Sequence, residues 1–189
     1  MASPSLDGFF LPRPDSATIF PSFEVNGENC KALTSQLFKQ YLTQPDDDLP
    51  ISVFLLTREG IQVIGLPLFS NDDEKSHLAA FTIPSLIRSS GARAVGWVSL
   101  CWDMPYNKNE PLESQCRPSE SPDRQEVLIL YLSDGDKGAF WQASVRRRPD
   151  RQPLLTAWKR EGYNDSGEFC GAFPAAINAA LKKNLQEND

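Results

Sequence analysis

A chain of 189 residues has the size of one domain, and 40% apolar residues with 10% aromatic are enough for a packed core, which excludes wholesale disorder. The net charge of −6, from 19 basic and 25 acidic residues, favours solubility and argues against nucleic-acid binding by the molecule as a whole. No apolar run reaches the roughly 18 to 20 residues that span a bilayer, so no membrane partner is expected.

Residues 1–14 lack the basic opening and the unbroken apolar stretch of a secretory signal, and a cytoplasmic location is expected. Residues 1–27 carry isolated large apolar groups, among them Phe9, Phe10, Leu11, Ile19, Phe20 and Phe23. Polar tails seldom do, so this stretch reads as an extended arm lying against the domain or a second subunit, with residues 28–189 forming a single α+β domain.

The first helix is predicted over 29–43. Cys30, Leu33, Leu37 and Tyr41 fall at steps of three and four, Asn29 can cap the start, and Pro45 with three following aspartates ends it. Residues 51–57 and 61–66 are β-branched, apolar runs on either side of Arg58-Glu59-Gly60, a hairpin in which Gly60 is expected to supply a positive φ. A second helix should run from the acidic start at Asn71 to Ser89 and close at Gly91, with Pro84 kinking or dividing it. Residues 92–102 and 126–132 are apolar on both alternating faces, as strands in the middle of a sheet are.

Residues 139–147 alternate, Trp141, Ala143 and Val145 inward against Gln142, Ser144 and Arg146 outward, and 152–159 is the last strand, reached through Pro149-Asp150-Arg151. A final helix, with Pro174 in its first turn, buries Ile177, Leu181 and Leu185. The order α-β-β-α-β-β-β-β-α predicts an α+β fold, a mostly antiparallel sheet of about six strands with three helices packed on it.

One connection, residues 103–124, is long and rich in proline, serine and charge; loops of that length in compact domains are commonly functional or disordered. It runs into the strand as RPSESPDRQEVLILYL. That run, preceded by an apolar strand ending in Trp102, resembles a pattern in a family of uncharacterised bacterial and phage proteins over roughly residues 92–160. The resemblance implies no activity. Read chemically, Arg117 and Arg124 alternate with Glu120, Asp123 and Glu126, and an arginine fork can grip a carboxylate. The plain reading is a lock that pins the crossover. The sharper one is a ligand site in which Arg117 and Arg124 hold a phosphate or carboxylate beside Trp102 and a carboxylate such as Asp103 or Glu126.

A second candidate is the basic hairpin tip, Arg146, Arg147, Arg148 and Arg151. Residues 143–160 carry a local charge of +5 against −11 elsewhere, which suits an acidic partner or nucleic acid, yet such tips usually serve as solvated edges that block aggregation. His77 stands on a helix start without the nucleophile elbow or paired ligands that would give it chemistry. Asp103, Glu110, Glu113, Glu120, Asp123 and Glu126 are oxygen ligands of the kind magnesium takes, but acids in a polar loop are weak evidence. Cys30, Cys101, Cys116 and Cys170 are scattered beyond zinc-site spacing and read as reduced thiols. No metal or cofactor is expected. The sequence thus points first to a binding or interaction module that self-associates or takes a protein partner. A hydrolase or phosphate-ligand enzyme at the 103–124 loop comes second, and nucleic-acid binding at the basic tip last.

Overall fold

Strands that are apolar on both faces require a covering layer on each side. The computed structural model describes residues 9–12, 20–67, 69, 71–103, 120–149, 151–161 and 172–188. The strands β1 (Phe9–Pro12), β2 (Ser52–Leu56), β3 (Gly60–Gly65), β4 (Ala94–Asp103), β5 (Gln125–Ser133), β6 (Gly138–Arg148) and β7 (Arg151–Leu155) form one sheet in the order β1-β3-β2-β4-β5-β6-β7. A short β8 (Lys159–Glu161) also pairs with β6, and every described pairing is antiparallel. Helix α1 (Phe23–Tyr41) lies on one face. On the other lie α2 (Asp72–His77), a π turn (Leu78–Thr82) and α3 (Ile83–Ser90), which run on from one another, and α4 (Ala172–Asn188). The fold is the expected α+β arrangement of an antiparallel sheet with three helical rods.

The two doubly apolar segments sit side by side at the centre. Nine residues of β4 pair with nine of β5, from Val95↔Ser133 to Asp103↔Gln125. Side chains alternate across this ladder, so Val98, Leu128 and Leu130 face α1 while Val95, Trp97 and Tyr131 face α3 and α4. Trp97 stacks on Phe173 of α4, with ring centroids 4.0 Å apart, and the Tyr131 hydroxyl donates to Asn178 Oδ1 at 2.7 Å.

Helix α1 starts six residues earlier than the spacing predicts. Ser22, not Asn29, caps it, its Oγ accepting from Val25 N–H at 3.3 Å. The buried stripe extends backwards through Gly27 to Phe23, and so residues 23–27 belong to the helix and not to an arm. Gly27 brings α1 against the sheet, because a Cβ there would stand 3.1 Å from the Trp141 ring. Nearer the start of the chain, β1 pairs with β3 from Phe9↔Val63 to Pro12↔Gly60.

Two local expectations, the 58–60 turn and the last strand, need correction. The 58–60 turn does not rely on a left-handed glycine, since among the described residues only Gly91 and Gly135 have positive φ. Thr57 Oγ1 closes that turn by accepting from the N–H groups of Glu59 and Gly60. The second helix is divided at Pro84, as expected, with the break in the turn just before it. Ile83 N–H reaches back to Leu78 O, and the widened turn precedes a residue that has no N–H and whose ring crowds the preceding turn. The last predicted strand is two short ones. Thr156 interrupts it by accepting from Ser144 N–H through its side chain and donating its own N–H to Ser144 O. Among the described residues, no helix is long and apolar enough to cross a membrane.

The tight α1–β6 approach yields a test. Gly27→Leu is expected to lower stability by about 2 kcal/mol through overpacking against Trp141. Gly27→Ala should be near neutral, because a gain in helix propensity of about 1 kcal/mol offsets a small ring shift. Urea denaturation of the two variants separates these outcomes.

Candidate functional site

The α1 face of the sheet continues past the end of its helix. Leu100 and Trp102 follow Val98 at steps of two along β4, Glu126 precedes Leu128 on β5, and Arg147 follows Val145 on β6. These side chains therefore extend the core face into a region that α1 leaves open. The chain leaving α1 turns over this region, and residues 45–48 form the facing wall. Between them lies a cleft of about 470 Å³ lined by that loop together with Leu100, Cys101, Trp102, Glu126 and Arg147.

Arg147 ties the two walls together. Its Nε and Nη2 donate to the two carboxylate oxygens of Glu126, both at 2.7 Å, in the parallel fork geometry that makes such pairs strong. Its Nη1 donates to the carbonyl oxygens of Pro45 and Asp47, the latter at 2.7 Å. The Glu126 side chain is only 13% exposed. The hydrogen bonds that Arg147 donates to Glu126, followed in size by the opposing effect of burial and the fields of Glu126, Asp48 and Asp46, leave the guanidinium pKa above its ordinary value. The loop is closed locally by Asp47, whose Oδ2 accepts from Thr43 Oγ1 at 2.8 Å, Thr43 N–H at 2.9 Å and Gln44 N–H at 2.7 Å. The Thr43 hydroxyl first, and then the Gln44 amide, hold this carboxyl below its usual range.

Trp102 stands at the mouth. Whereas Trp97 and Trp141 are 4% and 7% exposed, Trp102 is 43% exposed, even though the Arg124 guanidinium lies over its ring at 4.6 Å from the centroid. Cys101 neighbours it in sequence, and its thiol is pushed up to about 11 by burial, with the Asp103 charge adding to the effect. It is protonated at neutral pH and lacks the electropositive setting of a nucleophilic cysteine.

The structure thus brings Trp102 together with Arg124, and Trp102 with Glu126, its partner across the ladder. Asp103 lies one residue beyond, paired with Gln125. Arg147 of the basic tip grips Glu126. Arg117 lies outside the described residues, as do Glu110, Glu113, Cys116, Asp150 and Cys170. The tip is divided: Arg147 turns into the cleft, Arg148 donates to Gln152 O at 3.3 Å, and Arg146 and Arg151 are exposed. His77 is exposed beside Phe81, with its ring 5.0 Å from that of Phe81. The sequence reading missed the loop wall, treating Asp46, Asp47 and Asp48 only as the end of a helix. Three consecutive acids after a helix, where the dipole disfavours negative charge, are the signal that marks them.

Comparison with known protein families, characterised proteins and solved structures gives no match. The chemistry of the cleft is its own guide. Among the described residues its lining carries four carboxylates, Asp46, Asp47, Asp48 and Glu126, against the one guanidinium of Arg147. Among the described residues no three acidic, histidine or cysteine side chains converge as metal ligands do. A cleft with an exposed indole and excess negative charge is suited to cations.

Two measurements probe this geometry. Arg147→Met is expected to cost about 2 kcal/mol, since it strands a largely buried carboxylate and frees the loop. Adding Glu126→Gln to Arg147→Met should recover part of that loss, which a double-mutant cycle in urea detects. A thiol two units above its ordinary value of 9.0 has about a hundredfold less thiolate, so at pH 8 Cys101 should alkylate with iodoacetamide far more slowly than free cysteine, as peptide mapping by mass spectrometry will show.

Proposed function

We propose that this protein is a binding module that takes a cationic segment of a partner protein into the cleft between residues 45–48 and the ends of β4 and β5. The observation that carries the reading is Trp102. An indole left 43% exposed, next to a wall of carboxylates and already bearing one guanidinium on its ring, offers a second cation both a π face and opposite charges. Arg147 offsets one of the four carboxylates, Glu126 being its bidentate partner, and the lining keeps an excess of negative charge. A second copy of the chain is one source of such a segment, since Arg146 and Arg151 are exposed on the hairpin tip.

The test uses a hexa-arginine peptide with the full chain, followed by calorimetry and tryptophan fluorescence. Saturable binding that weakens with salt is expected. Trp102→Ala should reduce affinity about tenfold, equivalent to about 1.4 kcal/mol. Asp46→Asn with Asp48→Asn should have a similar combined effect, and hexaglutamate should not bind. Light scattering over a concentration range, with and without Arg146→Gln and Arg151→Gln, reports whether the partner is a second copy. Absence of saturable hexa-arginine binding, or equal binding by the Trp102→Ala variant, overturns the proposal.

A further inference from the structure

The rod formed by α2, the π turn and α3 covers the sheet on the face opposite α1. Its inward residues Leu78, Ile83 and Ile87 are buried, yet Phe81, midway along it, is left 62% exposed. Among the described residues no other large apolar side chain is so exposed. A phenylalanine in water is a cost that a partner can remove.

Two ridges run along the outer surface of the rod. His77 and Phe81, four residues apart, hold their ring centroids 5.0 Å from each other, and Asp73 stands one turn before His77. Ala80, Pro84 and Arg88 follow the same step and line one hollow of about 310 Å³ beside α4. The ridges mirror one another in position: 73, 77 and 81 answer to 88, 84 and 80, about a point between Ala80 and Phe81. After a half-rotation, the first ridge of one copy lies along the second ridge of another. Phe81 then enters the hollow over Ala80 of the second copy, His77 meets Pro84, and Asp73 meets Arg88.

Charge fits the same pairing. Asp72 and Asp73 are exposed at one end of the rod and Arg88 at the other. Among the described residues, none of these three has an ion-pair partner in its own chain. The helix dipole accounts for acids at the start and a base in the last turn. It does not account for an exposed aromatic midway between them. Antiparallel rods bring each acid to the opposite base, whereas parallel rods would set like charges together. A rod about 28 Å long with α4 alongside offers a footprint of about 20 by 28 Å, or about 1,100 Å² over two copies, the size of a weak, reversible interface.

We infer that this face pairs two copies of the chain about a two-fold axis between Ala80 and Phe81, with Asp73 and Arg88 fixing the direction. The interface lies away from the acidic cleft and does not depend on the function proposed for it.

Sedimentation velocity of the full chain, from low to high micromolar concentration, tests the pairing. A reversible monomer–dimer equilibrium is expected, with the dissociation constant raised at least about tenfold in Phe81→Ala. Asp73→Arg and Arg88→Asp should each weaken the dimer, because each sets like charges opposite one another. Mixing these two chains should restore it, since both ion pairs re-form in the mixed dimer. Circular dichroism confirms that every variant is folded. Arg146→Gln/Arg151→Gln should leave the dimer intact, and hexa-arginine binding should be unchanged in Phe81→Ala, so the two proposals fail separately. A chain that stays monomeric, a dimer indifferent to Phe81→Ala, or charge-reversed chains that fail to pair when mixed overturns the inference. So does a dimer that the Arg146→Gln/Arg151→Gln variant abolishes, because it would then belong to the hairpin tip.

Discussion

The pairing of β4 with β5 is the constraint from which the rest of the molecule follows. Nine residue pairs place large apolar groups on both surfaces of a two-stranded ribbon, and neither surface is stable in water. Each must be covered. The α1 side recruits Leu33, Leu37 and Phe38, and the other side recruits Ile83, Ile87, Ile177 and Leu181. The outer strands then add by short antiparallel turns, β3 beside β2 on one flank and β7 with β8 beside β6 on the other. Layer count, helix placement and sheet order all answer to that central requirement.

The same requirement creates the cleft. The sheet is longer than the helix that covers it: β4 continues to Asp103 and β6 to Arg148, while α1 ends at Tyr41. Past that point the alternating face changes from Val98, Leu128 and Val145 to Trp102, Glu126 and Arg147. A charged residue in this position needs a partner that shields it from solvent loss, and the Glu126–Arg147 fork with the 45–48 carbonyls meets that need. The lock therefore has a structural role, and the exposed indole beside it is the part free of structural obligation. On the other face, the small side chains of α3 and α4 let two helices pass closely yet leave a trough outside the filled layer.

The strands and helices were largely readable because their patterns are strong. β4 and β5 are apolar at nearly every position, and α1 repeats its stripe through Cys30, Leu33 and Leu37. The errors were at ends and turns, where one hydrogen bond decides the outcome. Ser22 competes with Asn29 as a cap, and Thr57 closes a turn that Gly60 was expected to make. Two residues of the cleft lining, Trp102 and Glu126, were singled out from their neighbourhood in the chain. Arg147 was assigned elsewhere because its partner is 21 residues away in sequence and adjacent only through strand register.

The amino-acid sequence by itself determined the class of fold, the buried centre of the sheet and the acidic balance of the molecule, because hydrophobic periodicity and charge are properties each segment carries alone. Tertiary structure alone decided which arginine meets which carboxylate, that three aspartates after a helix become the wall of a cleft, and that alanines on two distant helices enclose a groove. Those are relations between segments far apart in the chain. Register and packing set them, and no local pattern encodes them.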